Sequence, residues 1–190
     1  MAKSVVFHAD AAEAIKELEN EHGIDHLDIV YANVGIATVV PKASEVKIED
    51  LKAHFQVNFY AVVTLLQATP SSAKERDEPE VGHIGSQPGY LNNFLFFPNS
   101  AYGPSKVAVL FMTRSLGSHH WSFIQGKRVQ TDLVNAVARI AAKMFGIEGL
   151  DKAVLEIPTS MNGFVKVVDE TIRDTHSGKL WTWEGNAVQW

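Results

Sequence analysis

Cysteine is absent from this sequence. That excludes disulfide bridges, thiolate nucleophiles and zinc sites built on sulfur. No glycine-rich turn spaced G-x-G-x-x-G or G-x-x-x-G-x-G occurs among the 190 residues, so the usual arrangement of backbone N–H groups that receives a dinucleotide diphosphate is missing. No apolar run approaches the ~18 residues of a membrane span. The opening run, Met1 to His8, is too short and weakly apolar for a signal peptide, and a cytoplasmic protein is expected. A formal charge of −5, with no basic stripe carrying interleaved aromatics, argues against a nucleic-acid partner.

What is present is ordinary for a globular protein, with 46% hydrophobic and 21% charged residues. The length fits one domain over residues 1–190, large enough to bury about 70% of its unfolded surface. Ser4 to His8 reads as a short buried strand, Ala11 to His22 as an amphipathic helix closed by Gly23, and Leu27 to Ala32 as a second strand. Apolar residues at helical spacing over 47–68 predict a long, largely buried helix that Pro70 stops. Ser71 to Glu80 is polar and reads as a solvated loop; His83-Ile84-Gly85 ends a third strand at Ser86, and Gln87 to Asn99 is loop. Asn99 or Ser100 can cap a helix from about Ala101 to Leu116, with Pro104 in its first turn, where a missing N–H costs nothing. Trp121 to Ile124 reads as a stunted strand, 131–146 and 159–174 as helices, and Lys179 to Trp183 as a last strand. Strands alternating with helices define an α/β fold with a parallel sheet.

Tyr102-Gly103-Pro104-Ser105-Lys106 carries the clearest chemistry. At i and i+4 the phenol and the ammonium share one helix face. A free tyrosine titrates near ~10, and a cation at ~4 Å in an effective dielectric of ~20 would favour its phenolate by about 4 kcal/mol. Burial opposes this, and the expected net result is a lowered pKa that makes Tyr102 a usable acid or base. Ser86, at the carboxyl end of a strand, can donate a hydrogen bond to a substrate carbonyl and fix it beside Tyr102.

A strand ending in Ile84-Gly85-Ser86, the Tyr/Lys helix after it, Ala32-Asn33-Val34-Gly35 after an earlier strand and Asn58 within a helix occur in that order. Together they resemble the short-chain dehydrogenase/reductase family over most of the chain. With Ile24 to Asp28 and Val129-Gln130-Thr131-Asp132, the pattern looks most like fungal ketoreductases of the norsolorinic-acid type. The resemblance implies that Ser86 orients substrate, Tyr102 protonates it, Lys106 holds the nicotinamide ribose and Asn58 anchors a proton-relay water. It also implies that Asn33, Gly35 and Thr131 border an NADP(H) cofactor, that the substrate is a polyketide-like aromatic ketone, and that the protein forms a homodimer or higher homo-oligomer. The implied fold is a truncated Rossmann-like three-layer α/β fold with a mainly parallel sheet missing its first two strands, the chain starting at the family's third. Such a loss would bare an apolar edge at Leu27 to Ala32. Ser4 to His8 is expected to pair there through a right-handed crossover, unless a second chain supplies the cover.

Two other functions fit the same residues. One is a cofactor-independent isomerase, dehydratase or cyclase reusing the Tyr102/Lys106/Ser86 site; the other is a non-catalytic remnant that dimerises through its long helices. The remaining signals read as structural. His22 and His26 flank a helix-breaking Gly23, and no metal site is expected; His119-His120 reads as solvated loop. Gly85-Ser86-Gln87-Pro88 lacks the spacing of a hydrolase nucleophile elbow. Trp181, Trp183 and Trp190 with Phe94, Phe96 and Phe97 can line an aromatic pocket or fill core.

Overall fold

The computed structural model describes residues 8–69, 80–92, 97–115, 121–125, 131–146, 148, 155–171 and 173–189. Within them the chain runs α1 (His8–His22), β1 (Ile29–Ala32), α2 (Ile48–Phe55), one π-helical turn (Gln56–Tyr60), α3 (Ala61–Ala68), β2 (Glu80–Gly85), a 3-10 turn (Gln87–Gly89) and α4 (Tyr102–Ser115). It continues through β3 (Trp121–Gln125), α5 (Asp132–Phe145), α6 (Ile157–Asp169), α7 (Arg173–His176), β4 (Leu180–Thr182) and β5 (Ala187–Val188). The strands form one sheet in the order β1-β2-β3-β4-β5, parallel except for the antiparallel β4–β5 pair.

Alternation along β1 sorts the layers. Val30 and Ala32 pack against the main core, built from Val62 of α3, Val81 of β2, Val109 and Leu110 of α4, Leu180 of β4 and Tyr90. Tyr31 points to the opposite face, where its ring meets Phe164 of α6 edge-on at 4.9 Å between centroids. Helices α3 and α4 therefore cover one face and α6 the other. Gly82 of β2 pairs in register with Tyr31, and a Cβ there would run into the Tyr31 ring, so the glycine lets that ring lie across the sheet.

Several expectations need correction. His8 opens α1 rather than closing a strand, which puts the helix start three residues before Ala11; Ser4 to Phe7 lies outside the described residues, as does its pairing with β1. Glu80 begins β2 instead of ending a loop, while 71–79 lies outside the described residues. The long helix is continuous but carries a π turn at Asn58. The expected 159–174 helix is split into α6 and α7, with the Glu170 and Thr171 N–H groups donating to the Lys166 and Val168 carbonyls where α6 ends. The stunted strand is a full member of the sheet, β3, bonded to both β2 and β4.

Candidate active site

The carboxyl ends of β1 and β2 deliver Asn33 to Gly35 and Ser86 to one edge of the parallel sheet, where α/β proteins bind ligands. Ser86 is held in extended backbone, and its carbonyl accepts the Gly89 N–H at 2.9 Å to close the 3-10 turn. That turn packs on α4 so closely that a Cβ at Gly89 would come within 2.9 Å of the Lys106 Cβ. Gly103 is pressed in the same way against Asn99 and the Pro88 carbonyl. Two glycines thus set the depth at which Tyr102 and Lys106 approach Ser86.

The geometry brings the predicted residues together. The Ser86 side chain hydrogen-bonds the Tyr102 phenol. Lys106 Nζ stands 5.8 Å from the Tyr102 ring centroid and donates to the Ile84 carbonyl at 3.2 Å. A Cβ at Gly35 would sit 3.3 Å from Asn58 Oδ1, a tight approach, and 3.7 Å from Lys106 Nζ, an ordinary contact, so Gly35, Asn58 and Lys106 converge on one place. Asn33 is exposed beside it. Thr131 is exposed as well and caps α5, its hydroxyl accepting the Val134 N–H at 3.3 Å; no hydrogen bond among the described residues joins it to the cluster.

Asn58 is a strut. Fully buried, its Oδ1 accepts the Ile36 N–H at 2.8 Å while its Nδ2 donates to the Ile36 carbonyl at 3.0 Å and to Ser105 Oγ at 2.9 Å. Ser105 in turn donates to the Tyr102 carbonyl at 2.6 Å. One amide therefore satisfies both backbone groups of the loop after β1 and ties that loop to the first turn of α4. A π turn at this point is a known mark of functional sites. His54 braces the same loop one turn earlier: its Nδ1–H donates to the Asp50 carbonyl at 2.7 Å, leaving Nε2 to accept the Thr38 N–H at 3.3 Å.

The electrostatics overturn the expected acidification of Tyr102. Burial pushes the phenol up to about 12, and only the Ser86 hydrogen bond pulls it down. The same burial lowers Lys106 to about 8. Desolvation penalises whichever form of each group is charged, so the free site holds a neutral phenol beside an easily discharged amine. Behind them His83 is buried on β2 with Thr113 Oγ1 at 3.5 Å from Nδ1; burial, then the Lys106 charge, hold it well below the usual imidazole range.

Residues outside this cluster find structural places. His26 Nδ1 meets Asp25 at 3.0 Å in an exposed turn, and no group of three metal-ligating side chains occurs among the described residues. Trp181 lies on the His176 ring at 4.3 Å and Trp183 packs on Gly163; Phe94, Phe96, Trp190, His119 and His120 lie outside the described residues. Among the described residues no helix is long and apolar enough to cross a membrane. Ser105, His54 and His83 join this cluster although none of them was among the expected site residues. Only Ser105, lying between Tyr102 and Lys106, offered a signal.

A parallel sheet with a serine at a strand's carboxyl end and a tyrosine–lysine helix packed beside it defines a class of α/β oxidoreductase folds. A family model described as short chain dehydrogenase matches residues 4–150, and the chain belongs to that family. It is 33% identical over 177 residues to the norsolorinic acid ketoreductase of Aspergillus parasiticus, covering 89% of this chain and 63% of that protein. The norsolorinic acid ketoreductase of Dothistroma septosporum is 29% identical over 191 residues, with 95% of this chain and 69% of the relative covered. Among solved structures, the NADPH-bound carbonyl reductase from chicken fatty liver superposes with a TM-score of 0.77 at 19% identity, over 98% of this chain and 75% of that one. The carbonyl reductase Sniffer of D. melanogaster gives 0.78 at 17% identity, over 100% and 77%. These structural likenesses establish a Rossmann-type fold.

Proposed function

We propose that this chain carries the catalytic face of a nicotinamide-dependent carbonyl reductase acting on polyketide-like aromatic ketones. The observation that carries the reading is the Ser86 side chain bonded to the Tyr102 phenol, with Lys106 5.8 Å over its ring. Two relatives named as norsolorinic acid ketoreductases support the substrate class.

The residues fit the nicotinamide riboside end of such a cofactor. Gly35 lies beside Asn58 Oδ1 and Lys106 Nζ, and Lys106 offers ammonium protons there. When bound, the cofactor supplies a hydride. Everything else falls to the protein: Ser86 Oγ donates to the ketone oxygen and holds it against Tyr102. A phenol raised to about 12 keeps its proton until that oxygen becomes basic, then gives it from Oη. The phenolate left behind lies near the Lys106 ammonium, an attraction of about 3 kcal/mol at ~6 Å in an effective dielectric of ~20. That attraction exists only once the proton has moved, so it lowers the barrier rather than tightening ground-state binding.

No glycine-rich diphosphate turn occurs in the 190 residues, so this chain's own grip is confined to the riboside end. Calorimetry should then find NADPH and reduced nicotinamide mononucleotide binding within a few-fold of each other, and both should be oxidised when an aromatic ketone is added. Absence of oxidation with either donor would overturn the reading.

A further inference from the structure

We propose that the segment 36–41 forms the apolar wall on which the rings of an aromatic ketone rest, and that His54 is the positioning residue that fixes where this wall stands. The inference rests on the reductase reading above and names what holds the part of the substrate that Ser86 and Tyr102 do not grip. The segment, Ile36-Ala37-Thr38-Val39-Val40-Pro41, has no regular secondary structure and no charged side chain, and its apolar residues are half-buried. It starts next to Gly35, where a Cβ would lie 3.7 Å from Lys106 Nζ. It ends at Pro41, whose carbonyl accepts the N–H of Ser100, just ahead of Tyr102, at 3.2 Å. The segment therefore runs from the Lys106 side of the site to the Tyr102 side.

Its course is set by two rungs from one continuous helix. Asn58 and His54 are one helical turn apart, a rise of about 6.0 Å, while Ile36 and Thr38 are alternate residues, which extended chain spaces by about 6.6 Å. A segment running opposite to the helix thus meets both side chains. Asn58 takes both backbone groups of Ile36, and His54 Nε2 accepts the Thr38 N–H at 3.3 Å. Among the described residues only the Asn58 rung is also tied to α4, through Ser105.

The choice of histidine points to this role rather than to packing. At a position with no exposed surface, an apolar side chain would fill the space without the cost of burying two ring nitrogens. The Nδ1–H is spent on the Asp50 carbonyl of its own helix, so the Thr38 N–H is the hydrogen-bond partner that joins the imidazole to another part of the fold. Ser86 and Tyr102 stand at the end of β2 and the start of α4, and among the described residues His54 makes no hydrogen bond to either. Losing the His54 rung should move the wall and leave the proton donor in place, which is a loss of substrate binding and not of turnover.

Two substitutions divide the imidazole between its two bonds. His54→Asn puts an amide near the place of Nδ1 and gives up Thr38, whereas His54→Gln reaches the place of Nε2 and retains the acceptor for Thr38. With α-tetralone as the probe ketone, His54→Asn should raise KM, and the Kd measured by calorimetry, about 10-fold while kcat stays within about two-fold of wild type, and His54→Gln should restore both constants. Amide hydrogen exchange should show Thr38 open in His54→Asn and protected in His54→Gln. Thr38→Pro removes the same N–H from the other side of the bond, at an exposed position, and should reproduce the rise in KM without touching the helix. A difference in Kd without nicotinamide oxidation would support the wall and count against the reductase reading alone. Equal constants in all the variants, a loss confined to kcat, no binding of α-tetralone to wild type, or a His54→Gln protein that protects Thr38 yet binds as weakly as His54→Asn would overturn the proposal.

Discussion

Replacing Lys106 by methionine keeps most of the side-chain volume and removes a cation that the fold shields from water. Burial lowers the Lys106 pKa from 10.5 to about 8, and at 1.36 kcal/mol per unit this means that holding the ammonium in place costs about 3 kcal/mol. The variant also loses the Nζ–Ile84 carbonyl hydrogen bond, worth about 1 kcal/mol, leaving a net gain of about 2 kcal/mol at pH 7. The gain has a defined pH dependence. Between about 8 and 10.5 the unfolded wild type binds a proton that the folded one has released, so wild-type stability rises with pH across that window. The cost is fully present below about 8 and gone above 10.5, so the two proteins should converge. Urea unfolding at pH 7 and pH 10, followed by far-UV circular dichroism, measures the gap at both ends. A Lys106→Met protein less stable than wild type at pH 7, or a gap that does not shrink at pH 10, would refute the reasoning.

Other outcomes follow from the same site. Asn58→Leu strands both backbone groups of Ile36 and removes the donor to Ser105 Oγ, and should lower stability by about 3 kcal/mol in urea unfolding. Gly103→Ala should cost about 1–3 kcal/mol, because Asn99 and the Pro88 carbonyl occupy the place of the new methyl; a neutral result would show that the loop yields freely. If the ammonium stabilises the Tyr102 phenolate, ketone reduction should fall on the alkaline side with an inflection near the Lys106 value of about 8, not near the Tyr102 value of about 12. A rate flat from pH 7 to 10 would count against that role.

Much of this was legible from residue patterns, and the parts that were not share a physical cause. The tyrosine–lysine spacing, the serine after a strand and the asparagine in the long helix are local signals, and folding brings them together as their order implies. The sign of the Tyr102 shift was not readable, because it depends on the burial of both partners, which a helix-face argument cannot see: proximity to a cation was expected to win, and desolvation wins. The π turn at Asn58 and the glycine contacts at Gly82, Gly89 and Gly103 exist only through tertiary packing. The same is true of β5, two residues long and placed only by β4.

The account depends above all on the Tyr102 hydroxyl as the proton donor to a ketone held by Ser86. Tyr102→Phe removes that one oxygen, and turnover of NADPH with an aromatic ketone, measured side by side with wild type, should fall by about 100-fold or more while the fold, read by far-UV circular dichroism, is unchanged. Turnover equal to wild type would contradict it.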